Sequence, residues 1–175
     1  VTLSCPLPED EQEIVFPLHG TRMLELGNKC NGKGVYKDYF VQEGIDHISI
    51  DWNGENGALK LDLREPIDLP VFDMITNIGT TEHVSDQTAV WANIHHLLKV
   101  DGILVCVTPY PGDWSWHGNY YPTENFYRDF ADLNGYKIEK LYIGRERPNR
   151  NWYGRFRKLV DADFIMPDGI YINKL

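Results

Sequence analysis

With 175 residues, a 42% hydrophobic share and a formal charge of −9, the chain has apolar material for one core at the usual ~100–200 residues per domain. The acidic balance disfavours nucleic acid as a partner, because phosphate binding draws on clustered Lys and Arg. No apolar run of ~18 residues and no charged-then-apolar leader occurs, so neither a membrane span nor a signal peptide is expected. Cys5, Cys30 and Cys106 lack CxxC spacing and neighbouring histidines, which points to reduced thiols in a cytoplasmic protein and to no metal centre.

Residues 1–20 are polar, proline-containing and acidic, and read as a lead-in that wraps the domain or borders its site. A short apolar strand at 23–26 then runs into the glycine-bearing loop 27–34. Next comes a helix at 35–44, with Val35, Tyr36, Tyr39, Phe40 and Val41 at helical spacing and Gly44 as its stop. A second strand at 46–51 ends on Asp51. This is the order of parts in a nucleoside-binding β-α-β unit: a tight turn lets backbone approach the ligand, and a carboxylate at the next strand end takes the ribose hydroxyls.

A Gly/Asn-rich turn leads to a short strand at 58–63, with the usual crossover helix shrunken or missing. The apolar run 72–78 reads as a buried strand. Residues 85–100 read as a helix with the stripe Val90, Trp91, Ile94, Leu97 and Leu98, a polar start at Ser85 and Asp86, and a stop at 99–102. The strand at 103–108 is the most apolar and belongs at the sheet centre. A long loop, 109–122, precedes a helix at 123–134 stopped by Gly135. Segments 136–144 and 153–160 alternate apolar and polar residues, as strands with one wetter face do. The organisation is a lead-in (1–20), one domain (21–165) and a C-terminal tail (166–175). Alternating strands and helices argue for an α/β, mostly parallel sheet covered on both faces, with the ligand outside the carboxyl ends of its strands.

Leu24-Glu25-Leu26-Gly27, Ile50-Asp51, Leu61-Asp62-Leu63, Phe72-Asp73-Met74-Ile75, Glu82-His83-Val84, the stretch 97–102 and Leu133-Asn134-Gly135-Tyr136 fall in an order that resembles the class I S-adenosylmethionine-dependent methyltransferases over roughly residues 22 to 160. The resemblance implies a three-layer sandwich around a Rossmann-like, mostly parallel seven-stranded sheet with an antiparallel last strand. It also implies S-adenosyl-L-methionine as cofactor and methyl transfer to a small acceptor. On that reading Glu25 lies near the cationic methionine portion and Gly27 lets the chain turn, with Asn28 and Lys29 following in the loop. Asp51 accepts from the ribose and Trp52 packs on the adenine edge. Asp62 and the Leu63 backbone meet the adenine, while Asn77 and Ile78 line the methionine arm and the reacting methyl.

Lys29 stands where the family's loop usually carries its second glycine. It either neutralises the cofactor's carboxylate or marks a degraded site, and the competing reading is a non-catalytic binding or scaffold module on the same fold. The loop also approaches a phosphate-binding GxxxxGK pattern, but Gly34 replaces the hydroxyl that should hold magnesium, and GxGxxG is absent.

Methyl transfer asks the protein to align a nucleophile and exclude water, with a base only where a proton must leave. Candidate catalytic residues are Glu82, His83 and His117, whereas His95 and His96 read as structural. The aromatic loop after the fifth strand offers Trp114, Trp116 and Tyr120 as a substrate wall, or else a small core of its own. Residues 145–158 carry +5 against −14 over the rest. Arg145, Arg147 and Arg150 are candidates to grip an anionic group on the acceptor, or simply offset an acidic surface.

Overall fold

Seven strands form the central sheet of the computed structural model, which describes Cys5 and residues 7–15, 19–31, 34–145 and 148–173. In chain order they are β1 (Arg22–Leu26), β2 (Asp46–Asp51), β3 (Leu59–Lys60), β4 (Phe72–Ile78), β5 (Leu98–Pro109), β6 (Tyr136–Ile143) and β7 (Asn151–Lys158). Their lateral order is β3-β2-β1-β4-β5-β7-β6. β1 pairs in parallel with β2 and β4, and β4 with β5, while β7 runs antiparallel between β5 and β6. The mostly parallel sheet with an antiparallel last strand is thus present. β6 ends on the same rim as β1, β2, β4 and β5.

Both faces are covered, which is why the central strands read as continuous apolar runs. Side chains alternate by two: Met23, Met74, Ile78, Val105 and Val107 project to one face, and Leu24, Leu26, Ile75 and Leu104 to the other. The first face packs on Tyr36 and Phe40 of α2 (Tyr36–Gln42). It also takes Leu7, Ile14 and Val15, which flank the single turn α1 (Glu9–Gln12). The segment before β1 therefore supplies core. The second face packs on Val90, Trp91 and Ile94 of α3 (Gln87–Leu97) and on Phe126, Tyr127 and Phe130 of α4 (Glu124–Leu133).

Two expected boundaries move. Asp86 caps α3 by accepting from the Ala89 amide at 2.9 Å, and the helix stops at Leu97 because Leu98 is already extended and paired in β5. Residues 99–102 are accordingly no helix stop. They form a bulge within β5, where the register slips between the pairs Phe72–Leu98 and Met74–Ile103 and Asp101 takes φ 63°. The strand expected at 58–63 shrinks to Leu59–Lys60 at the sheet edge. The crossover from β2 is reduced to one 3-10 turn, Glu55–Gly57.

Lys158 ties the last strand to α3. Its buried ammonium donates to the carbonyls of His95 and Leu98 at 2.9 and 3.0 Å and to Asp161 at 2.9 Å. It satisfies acceptors left over at the helix C-terminus, where a cation also complements the dipole. Further along the chain, Ile170–Ile172 pairs antiparallel with Tyr120–Pro122. The tail thus fastens the long loop after β5. Among the described residues no helix is long and apolar enough to cross a membrane.

Candidate active site

A cavity of about 800 Å³ opens over the carboxyl ends of β1 to β4, within the range of small-molecule sites. Its walls are residues 27–30, 50–52, 60–64, 78–80 and 83–85. Each parallel strand ends here and its following turn must face the rim, so four separate turns converge on one space.

The β1 turn is held from below. Gly27 has φ 75° and donates to the Ile50 carbonyl at 2.8 Å. A Cβ on it would lie 2.6 Å from Thr80 Oγ1, and that hydroxyl donates to the Leu26 carbonyl at 2.7 Å. Glycine is required here both by the left-handed backbone and by the close approach of the β4 turn. Asn28 Nδ2 donates to the Glu55 carbonyl at 3.0 Å, binding the loop to the reduced crossover.

Glu25 does not reach the cavity, contrary to its expected place beside the methionine portion. It is buried, accepts the Lys29 amide at 2.8 Å and lies 3.0 Å from His47 Nε2. The reason is parity: Glu25 projects to the α2 face, where Phe40 stacks on the His47 ring. Its contact with the loop is therefore through backbone, from underneath. Lys29 does reach the wall. Its ammonium stands 3.4 Å from where a Cβ on Gly79 would be, so the side chain spans from the β1 turn to the β4 turn.

At the opposite end Asp51 Oδ1 accepts the Asn53 amide at 3.1 Å, which fixes the carboxylate at the cavity edge. Trp52, 78% exposed, lies beside it as open aromatic surface. Asp62 and Leu63 also line the cavity. Hydrogen bonds from the Arg64 side chain and amide hold the Asp62 carboxyl down at about 2. Ile78 lines the wall. Asn77 does not: it is fully buried, with both ends of its amide committed to Thr81, so it shapes the β4 turn.

Glu82, His83 and His117 meet at the rim. Glu82 and His83 belong to the 3-10 turn Thr81–His83 after β4. His117 comes from the loop after β5, its Nε2 3.4 Å from Glu82 Oε1, and the two imidazoles meet edge to face at 4.9 Å. Only His83 of the three is on the cavity wall. Glu82 Oε1 lies 3.5 Å from the place of a Gly79 Cβ, immediately behind that wall.

The expected substrate residues are not gathered at the cavity. Trp114 donates through Nε1 to the Arg150 carbonyl at 2.7 Å and packs on His117 at 4.8 Å, so it supports the loop. Trp116 is 83% exposed at φ 63° and walls nothing. Tyr120 lines a separate shallow hollow that shares Ser85 with the main cavity. Arg150 is committed to Asp113 and stacks over Tyr110, which removes it as a grip for an acceptor anion. Arg145 is exposed, and Arg147 lies outside the described residues. Sequence reasoning missed Gly79, Thr80, Ser85 and Arg64. Gly79-Thr80, directly after the apolar run of β4, was the available signal.

No family model matches the chain. A ubiquinone biosynthesis O-methyltransferase of Cereibacter sphaeroides is 29% identical over 109 residues, covering 53% of this chain and 43% of that protein. The chain therefore spans less than half the length of this curated relative. The solved 1,6-didemethyltoxoflavin-N1-methyltransferase of Burkholderia thailandensis, with bound 1,6-didemethyltoxoflavin and S-adenosylhomocysteine, superposes with a TM-score of 0.60 at 15% identity, over 81% of this chain and 72% of its own. The chain has the fold of these methyltransferases. The [4+2]-cyclase SpnF shares the methyltransferase fold as well, with a TM-score of 0.65 at 12% identity over 86% of this chain and 82% of its own. Chemistry must accordingly be argued from the site.

Proposed function

We propose that the protein transfers a methyl group from S-adenosylmethionine to a small-molecule acceptor. The observation that carries this reading is the cavity over the carboxyl rim, with an acid, Asp51, at the end of β2 and a cation, Lys29, reaching the β4 turn. The pocket suits an adenosyl amino acid. Gly27 leaves room for close backbone approach, Asp51 would accept the sugar hydroxyls, and Trp52, Asp62 and Leu63 would take the base. Lys29 would meet the carboxylate of the amino-acid arm. When bound, the sulfonium supplies an activated methyl group. The chain's own task is to align the acceptor and exclude water. The rim group of His83, Glu82 and His117 marks the side from which an acceptor approaches, because it adjoins the wall at Gly79 and His83.

Isothermal calorimetry with S-adenosylmethionine tests the reading. Binding weakened at least tenfold in Asp51→Ala, with unchanged unfolding, is the expected result. No heat at millimolar ligand would assign the fold to a binding or scaffold module instead.

A further inference from the structure

Glu82 is fully buried, and neither carboxylate oxygen has a hydrogen-bond partner among the described residues. A carboxylate taken out of water without donors is unfavourable unless a cation meets it. What faces it is a pair of imidazoles. His117 Nε2 and His83 Nε2 lie 3.4 and 3.8 Å from Oε1, and one ligand atom from each of the three residues falls within 4.8 Å of the others. With metal–ligand bonds of about 2.1 Å, the edges of a tetrahedral site are roughly 3.4 Å. Small torsional changes of two half-exposed histidines would close the set.

We propose that Glu82, His83 and His117 form a binding site for a divalent first-row transition-metal ion of the zinc class. Two imidazoles and one carboxylate suit such an ion, whereas magnesium and calcium prefer all-oxygen shells. The site is built from two loops. The Asn119 amide donates to the Glu82 carbonyl at 2.8 Å. Gly118, at φ 63°, packs so closely that a Cβ would come 2.7 Å from Glu82 Cγ. Together these seat His117 over the buried carboxylate. Trp114 packs on His117 as well, ring centroids 4.8 Å apart, and shields it in part from water. Glu82-His83 and His117 are far apart in sequence and share no metal-binding spacing, which is why the chain reads as metal-free before folding.

Three protein ligands leave at least one coordination position open, and His83 places the cluster at the cavity wall. Resting on the methyl-transfer reading, the open position would take a hydroxyl oxygen of the acceptor. Coordination would lower the pKa of that hydroxyl and hold the oxygen toward the cavity.

The test is titration of chelator-treated protein with Co²⁺ alone, read by visible absorption, with Zn²⁺ as competitor. One equivalent bound, displaced by Zn²⁺, and affinity lowered at least tenfold in His83→Asn, His117→Asn and Glu82→Gln is the expected result. Because Glu82→Gln alters a buried turn, the histidine variants decide the case, with circular dichroism confirming their fold. No absorption change at millimolar Co²⁺, or unchanged affinity in His117→Asn, overturns the site. Calorimetry with S-adenosylmethionine on the same metal-free protein separates the two proposals. Cofactor heat without Co²⁺ binding removes the metal site alone, and Co²⁺ binding without cofactor heat supports the site while removing methyl transfer.

Discussion

Replacing Gly27 with Ala tests how the β1 turn is built. Two costs arise. An alanine held at φ 75° gives up about 1–2 kcal/mol against a right-handed or extended conformation. Its Cβ would also sit 2.6 Å from Thr80 Oγ1, so the hydroxyl must leave the Leu26 carbonyl to which it donates at 2.7 Å, at a cost of about 1 kcal/mol. The expected destabilisation is about 2–3 kcal/mol, or about 5–10 °C in Tm for a domain of this size. Urea unfolding of Gly27→Ala, Thr80→Ala and the double variant measures it. Thr80→Ala alone should cost about 1 kcal/mol. In the double variant that loss is already counted, so the cycle should show a coupling of about 1 kcal/mol. An additive double variant, or Gly27→Ala within about 0.5 kcal/mol of wild type, would refute the proposed contact.

Lys158→Met should destabilise by about 2–3 kcal/mol, since it strips a charged donor from two carbonyls at the end of α3; an unchanged urea midpoint would contradict the capping role. His95 is held below its ordinary pKa, chiefly by burial and further by the charges of Lys158 and His96, against an opposing bond to the Ala162 carbonyl. The unfolded chain therefore takes up this proton first as pH falls. Stability should be full above about pH 6.5 and decline below it toward the depressed folded value; an identical slope in His95→Gln would show that other groups cause it. Lys29→Gly should weaken S-adenosylmethionine binding at least tenfold by calorimetry, and equal or tighter binding would show that the lysine neutralises nothing on the ligand.

Much of the rim was legible in the order of residues. The strand at 23–26, the acid at Asp51 and the apolar runs 72–78 and 103–108 are local features, set by periodicity and by turn residues that need no distant partner. From them the sheet, its cavity-bearing edge and wall residues such as Gly27, Lys29, Asp51 and Asp62 follow. Glu25 and Asn77 were assigned to the wrong surroundings because their nearness to a strand end says nothing about which face they project to or which buried partner claims them.

Composition and pattern by themselves determined an α/β chain with a mostly parallel sheet and glycine-bearing turns at its strand ends, since hydrophobic period and glycine placement act over a few residues. Only the tertiary structure decided that Arg150 is spent on Asp113, that Trp116 is exposed and that His117 comes to rest over the buried Glu82. Those outcomes depend on which loops the fold brings into contact. Charge pairing and desolvation act between residues dozens of positions apart, so no local window of the sequence contains them.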